Sequence, residues 1–414
     1  MSENPIKPSE ARRLVLERVR PLEAEPVPLR SALGRVLAAD VNSAEAVPGF
    51  DNSSMDGFAV RAADTAGASA AAPVALRIAD EARAGRPARS SLQAGQAIAI
   101  STGAMLPEGA DSVVRVEDTA ARNGRVDVSV EVDPGNNVRS RGDDIEPGAP
   151  VLRTGVTIGA AELGVLASVG RVEVSCARRP GTRILTTGDE LLEPGDPPRP
   201  GGVRNSNAYS IPSLALGAGA EVAGIETVSD EPVATRDAVD AALDGDIAVI
   251  SGGVSVGYHD HVKSTLEELG VERVFWRVAL KPGKPTWFGV APGGTLVFGL
   301  PGNPVSAMVT FLLFVRPAIR SMLGASDEVA RASAILDDDL PKAPGRDHAV
   351  RCSLELRDDG WHARPTGNQD SHVLTSMLGA NALAIVPAEG DAPVAGSRVE
   401  VELLPGMGPV PSPR

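Results

Sequence analysis

Between residues 183 and 322 the chain repeats one pattern five times. A short apolar run ends in a loop loaded with acids, glycines or lysines, and in most cases a helically spaced stretch follows. The runs fall at 183–187, 221–228, 247–250, 273–280 and 295–298. Runs of that length, rich in β-branched residues, suit strands buried on both faces. Strands alternating with helices predict a doubly wound, mostly parallel sheet whose strand ends converge on one ligand-binding edge. Segments on either side lack that alternation, so the predicted class is α/β multidomain. It comprises the doubly wound domain, an inserted small β-domain, an N-terminal helix-containing domain and a C-terminal β-domain.

The five loops carry the chemistry. The first holds Gly188, Asp189 and Glu190, and the second Ser229, Asp230 and Glu231. The third lies in IAVISGGVSVGYHDHVK, where Gly252, Gly253 and Gly257 stand among Ser251 and Ser255 before a helix at 261–269. Glycines that let backbone N–H groups approach an oxyanion, followed by a helix start, make an anion site. Asp260 sits where that helix begins, as a cap or as a metal ligand. The fourth loop is Lys281-Pro282-Gly283-Lys284-Pro285, and the fifth is Gly299-Leu300-Pro301-Gly302-Asn303-Pro304, before an apolar helix at 305–322. Asp189, Glu190, Asp230 and Asp260 offer hard oxygen ligands of the kind Mg²⁺ prefers. The lysines and glycine-loop amides offer the opposite sign. Any one loop reads equally well as a structural turn. Five on one edge argue for binding and cleaving a phosphoanhydride.

The flanks are plainer. An amphipathic helix is predicted at 9–19 and a second short helix at 29–37. PGFDNSSMDGFAVR (48–61) reads as a loop feeding a strand and brings Ser53, Ser54, Asp56 and Arg61 together. From 62 to 138 strands and turns alternate, with Ser101, Thr102 and Gly103 closing one strand. Arg139, Arg141, Asp143 and Asp144 form a charged turn, followed by a helix at 159–170 and a strand at 172–176. Residues 334–404 are again strand-like, with Arg351 on a strand and Gly367, Asn368, Gln369 and Ser371 on a polar turn. The predicted domains are 1–46 with 140–178, then 47–139, 179–326 and 327–414.

Composition narrows the partners. Only 3% of residues are aromatic, so the cores must rest on Val, Leu, Ile and Ala. A net charge of −14 argues against nucleic-acid binding, and an anionic substrate must be drawn by local Lys and Arg. Cys176 and Cys352 are the only two cysteines, too few for a disulfide framework, and read as buried thiols in a reducing compartment. The first residues have no apolar signal-like region, and no stretch reaches transmembrane length. The expectation is a cytoplasmic protein without a membrane or nucleic-acid partner.

DNSSMDGFAVR, TTGDEL, SGGVSVGYHD, LKPGKP, GLPGNPVS and TGNQDSH, in that order, resemble the molybdopterin molybdenumtransferase family, the MoeA proteins related to the E-domain of gephyrin. The resemblance implies an enzyme that inserts molybdate into adenylylated molybdopterin. Mg²⁺-dependent cleavage of the pyrophosphate bond then releases AMP and molybdenum cofactor. It implies a homodimer with shared active sites, in which Asp56 and Thr102 face the partner's α/β domain. Molybdopterin adenylyltransferase and molybdoenzyme clients are possible further partners. Carried over by position, Asp56, Thr102, Glu190, Asp230, Asp260 and Lys281 are catalytic, with Glu190, Asp230 and Asp260 at the metal. Asp189, Gly252, Gly253, Ser255, Pro301, Gly302, Asn303 and Ser306 bind substrate phosphate. Lys284, Pro285, Arg351 and Ser371 bind molybdate, and Asp144 matches another acidic position. Two residues depart from the family pattern: Arg277 stands where lysine is frequent, and Asp370 where glycine is common. The alternatives are a molybdopterin-binding scaffold without catalysis and a molybdopterin adenylyltransferase. The length of the chain argues against the latter.

Overall fold

The computed structural model describes residues 4–254, 261–326 and 330–404. Contacts divide the chain into two compact units, Val27–Leu33 with Ala39–Val174, and Met1–Pro26 with Gly34–Ala38 and Ser175–Arg414.

The first unit is built on six strands, β1 (Gly57–Val60), β2 (Val74–Ala82), β3 (Gln96–Ile100), β4 (Ser112–Arg115), β5 (Thr119–Arg122) and β6 (Arg125–Val128). Their order is β4-β1-β3-β2-β6-β5, antiparallel except for the parallel pair β2–β3. Alternate residues face two different cores. Phe58, Leu76, Ala97, Val114 and Val126 pack in one, while Ala59, Ile98, Ile100 and Val113 pack in the other. Both faces are therefore covered, which is why β1 is buried along its whole length. A helix at Ala160–Ser168 belongs to the same unit, and Gly159 N–H donates to the Glu162 carboxylate at its start (2.9 Å). The helix predicted at 29–37 is only a single 3₁₀ turn, Leu29–Ser31.

The second unit opens with a helix at Pro8–Leu16 and holds the doubly wound sheet. Its elements are β7 (Gly181–Thr187), α1 (Asn207–Ala218), β8 (Glu221–Val228), α2 (Pro232–Ala242), β9 (Ile247–Ser251), α3 (His261–Glu268), β10 (Glu272–Trp276), β11 (Leu280–Lys281), β12 (Trp287–Val290) and β13 (Leu296–Leu300). The sheet order is β8-β7-β9-β13-β12-β10. Strands β8, β7, β9 and β13 are parallel, and β12 runs against both its neighbours. Ile247 to Ile250 are fully buried, as a central strand covered on both faces requires. Phe275, Phe288 and Phe298 stand opposite one another on β10, β12 and β13. Their ring centroids are 5.6 and 4.9 Å apart, within the favourable range for aromatic pairs.

Two expectations fail here. The strand predicted at 273–280 breaks at Arg277, whose φ is +74°, a left-handed conformation that ends the pleat. Its N–H donates to Thr286 O (2.9 Å) and its guanidinium lies 4.1 Å from the Trp276 ring centre. The residues beyond, β11, leave this sheet and pair in parallel with Asp347 and His348. Strand β12 was not foreseen.

The apolar helix runs as α4 (Pro304–Thr310), a π-helical turn at Phe311–Val315, and α5 (Arg316–Met322). Pro317 lacks the N–H that a continuous helix would use, and the wider turn precedes it. By length and hydropathy Pro304–Met322 is apolar enough to cross a membrane, yet 83% of its apolar window is buried inside the protein.

The C-terminal strands are β14 (Arg331–Leu336), β15 (Asp347–Arg357), β16 (Gly360–Pro365), β17 (Ala382–Val386) and β18 (Arg398–Leu403). Pairings β15–β16, β16–β14, β14–β18, β18–β17 and β17–β15 close a ring, with β11 added beside β15. Val350, Cys352 and Leu354 point into the core of that ring, and Ala349 joins the core of the α/β domain. Arg351 is on the Ala349 side by strand alternation. Both cysteines are buried free thiols, and burial pushes Cys352 up to about 12.

Candidate functional site

The parallel strand ends form the floor of a cleft of about 590 Å³. Its walls include Thr186, Glu190, Asn205, Asn207, Ser251 and the glycines 252, 253 and 302. Two amide side chains from the start of α1 lace these strand ends together. Asn205 Nδ2 donates to Thr186 Oγ1 (2.8 Å) and Thr227 Oγ1 (2.9 Å), joining β7 to β8. Asn207 Nδ2 donates to Ser251 Oγ (2.8 Å) and Gly302 O (2.8 Å), joining β9 to the loop after β13. Asn207 Oδ1 and Thr187 Oγ1 are buried and have no hydrogen-bond partner among the described residues, so the cleft holds acceptor capacity that a ligand can use. Asn205 and Asn207 stand at the opening of α1. Their signal was present, since two amides before a helix that follows a strand-end loop can reach neighbouring strand ends.

The glycine loop is shaped by close packing. Gly252 has φ +101°, and a Cβ there would sit 2.7 Å from Thr187 O. A Cβ on Gly253 would lie 2.4 Å from Val262 Cγ2. Gly252 N–H already donates to Leu300 O (3.1 Å), so it serves the loop and not a ligand. Gly302 is different: its Cβ would meet only Gly252 Cα at 3.8 Å. Ser255 and Asp260 lie outside the described residues.

A second cavity of about 310 Å³ adjoins the cleft, sharing Pro285, Pro301, Asn303 and His372 with it. Lys281, Lys284 and Arg346 bring three cations to its wall, beside Ser306, Asp370 and Ser371. Asn303 Nδ2 donates to Ser371 Oγ (3.1 Å) and Val305 N–H to Ser371 O (3.2 Å), fixing the polar turn against the start of α4. With its lone pair engaged by Asn303, the Ser371 hydroxyl can donate its own proton into the cavity. Arg346 was not among the expected site residues; in the sequence it stands in a Pro-Gly-Arg-Asp turn that resembles any solvated loop.

Arg351 is on neither wall. It is fully buried, and its guanidinium is engaged beneath the polar turn. Nη1 donates to Gln369 O (3.1 Å), Nη2 to Asn368 O (3.2 Å), Asp370 O (3.4 Å) and Ser376 Oγ (3.0 Å), and Nε to Ser376 Oγ (3.2 Å). In this position its planar fork holds the loop that carries Asp370, Ser371 and His372. Burial draws its pKa down to about 10, which leaves it charged at neutral pH.

Of the expected acids among the described residues, only Glu190 lines the cleft. Asp189 Oδ1 accepts from Asp230 N–H (3.1 Å), which ties the loops after β7 and β8 together. Among the described residues no group of three or more His, Cys, Asp or Glu side chains is arranged to hold a metal. In the first unit, Asp56 Oδ1 accepts from Thr102 N–H (2.8 Å), so these two expected residues are neighbours. Asp144 N–H donates to Val47 O (3.0 Å). Arg277, stacked on Trp276, is not part of either cavity wall.

Comparison with known proteins follows the same order along the chain. Residues 6–170 match the MoeA N-terminal region (domain I and II), 183–321 a probable molybdopterin binding domain, and 333–404 the MoeA C-terminal region (domain IV). Molybdopterin molybdenumtransferase of Bacillus subtilis is 37% identical over 97% of this chain and 94% of its own length. Molybdopterin molybdenumtransferase 2 of Mycobacterium tuberculosis is 36% identical over 95% of this chain and 98% of its own. A crystal structure of the molybdopterin biosynthesis protein MoeA from Pyrococcus horikoshii superposes with a TM-score of 0.83 at 29% identity, covering 97% of this chain and 100% of that one. With relatives matched almost end to end, the chain belongs to the molybdopterin molybdenumtransferase (MoeA) family.

Proposed function

We propose that this chain inserts molybdate into adenylylated molybdopterin, cleaving the pyrophosphate bond and releasing AMP and molybdenum cofactor. The observation that carries this reading is the pair of adjoining cavities. The larger, floored by strand ends and glycines, has the size and the donor and acceptor groups to hold an adenylylated heterocycle. The smaller is a cationic cup suited to a tetrahedral dianion. Lys281 and Lys284 provide mobile ammonium donors, Arg346 a planar fork and Ser371 a hydroxyl. Pro285, Pro301, Asn303 and His372 lie on both walls, so an anion held in the cup would sit next to the bound substrate. The lysines would also offset charge that develops on phosphate oxygens as the anhydride breaks.

Mg²⁺ enters through the family resemblance. Glu190 supplies one carboxylate on the cleft wall, and the described residues alone do not complete a divalent-cation site. Glu190, Asp230 and Asp260 remain the acids proposed for it. The protein is further proposed to act in the cytoplasm as a homodimer, with Asp56 and Thr102 of one subunit completing the site of the other.

The test is AMP release from adenylylated molybdopterin by the purified chain, with molybdate and Mg²⁺ each omitted in turn. Release that requires molybdate is the expected result. Tight substrate binding without release under any condition would refute the transferase reading and favour a scaffold.

A further inference from the structure

The smaller cavity contains one group that a site for a bare dianion would not select. Lys281, Lys284 and Arg346 carry only hydrogen-bond donors, and the Ser371 hydroxyl is set to donate. Asp370 lines the same wall, and an ionised carboxylate only accepts. Its backbone is held from two directions. The Asp370 N–H donates to Asn368 Oδ1 (2.8 Å), and its carbonyl accepts from Arg351 Nη2 (3.4 Å). The exposed carboxylate makes no hydrogen bond or close ion pair among the described residues; it feels the charge of the buried Arg351 guanidinium but is open to whatever enters the cavity.

A tetrahedral anion without protons, such as molybdate or sulfate near pH 8, can only accept hydrogen bonds. It gains from the cations and the serine and is repelled by the carboxylate. Hydrogen phosphate has the same charge and shape at that pH but keeps one O–H, which can donate to a carboxylate oxygen. We propose that Asp370 makes this cavity discriminate tetrahedral dianions by whether they carry a proton, so that hydrogen phosphate competes with molybdate more strongly than sulfate does. This rests on the oxyanion reading of the cavity given above.

The experiment is titration of the full-length protein with molybdate, sulfate and inorganic phosphate at pH 8, for the parent and for Asp370→Asn, with Asp370→Gly as a second variant that removes the side chain altogether. Removing one exposed charge should tighten molybdate and sulfate by roughly threefold in both variants. That gain should shrink as salt is raised. Phosphate affinity should stay unchanged or fall. Equal tightening for all three anions would show that Asp370 acts as a plain charge and would overturn the inference alone. No change for any anion would overturn it equally. Failure of parent and variants to bind all three would overturn the oxyanion reading of the cavity along with it.

Discussion

Replacing Arg351 by alanine distinguishes a residue that touches the oxyanion from one that builds the wall around it. In the folded protein the guanidinium serves three carbonyls and one hydroxyl, and none of its surface reaches solvent. Asn368 and Asp370 are exposed and can pair with water once the arginine is gone. Gln369 is only 8% exposed, and Ser376 is 3% exposed, though its hydroxyl still donates to Val373 O (2.7 Å). One or two acceptors are therefore left dry, at about 1–3 kcal/mol each. The emptied volume adds to this, and release of a buried charge offsets part of it. The expected net loss is about 2–4 kcal/mol, measured as a fall in the urea midpoint at constant slope. Arg351→Lys keeps the charge but not the fork, and should lose less stability while still loosening the turn. Oxyanion affinity should fall in both variants in step with disorder of residues 366–376, followed by hydrogen exchange or by limited proteolysis. If Arg351→Ala left the unfolding free energy within about 0.5 kcal/mol of the parent and still abolished oxyanion binding, the argument would be wrong. Arg351 would then be a direct ligand.

Two further substitutions separate scaffold from contact. Gly252→Ala forces a left-handed L-residue against Thr187 O and should cost about 1–3 kcal/mol along with substrate affinity, whereas Gly302→Ala has room. The second variant should keep its melting temperature and lose phosphate affinity, and equal melting losses in the two would contradict that division. Asp246 accepts from Arg178 through two bonds (2.7 and 2.9 Å) and from Gly181 N–H (2.7 Å). The Arg178 guanidinium, helped by that amide, holds its carboxyl below the usual range. Its stabilising contribution is present above the unfolded-state pKa near 4 and is lost as pH falls through the lower folded value. Asp246→Asn should cost about 1–2 kcal/mol at pH 7, with the gap to the parent closing in acid, as denaturation at a series of pH values would show.

The doubly wound domain was legible because buried parallel strands cannot hide their composition. Ile247 to Ile250 is apolar throughout, and the loops after the strands concentrate the charges that the strands exclude. Other features depend on distant partners. WFGV of β12 is four residues long and has no alternation to mark it, and Arg277 leaves the sheet through a backbone angle that side-chain type does not encode. The resemblance assigns Arg351 to molybdate; a buried arginine is uncommon, and only the fold shows the carbonyls around it. Asn205 and Asn207 act as cross-links that no local pattern announces, since the hydroxyls and carbonyl they join lie up to about 95 positions away. The cationic cup was visible in LKPGKP, whereas Arg346, which completes it, comes from a segment whose pattern points only to a turn.

The short strand β11 gives the lysine-bearing loop an unusual dependency. Residues 272–276 before it are hydrogen-bonded into the doubly wound sheet, while Leu280 and Lys281 are stitched to the barrel through Asp347 and His348. The stretch between is a strap fastened to two different buildings. The cup it lines is therefore a conjunction: it exists only when both sheets have folded. A newly made chain whose barrel has yet to close can shape the large cleft but cannot yet hold the small anion. Occupancy of the cup thus reports that β11 has found its place beside β15.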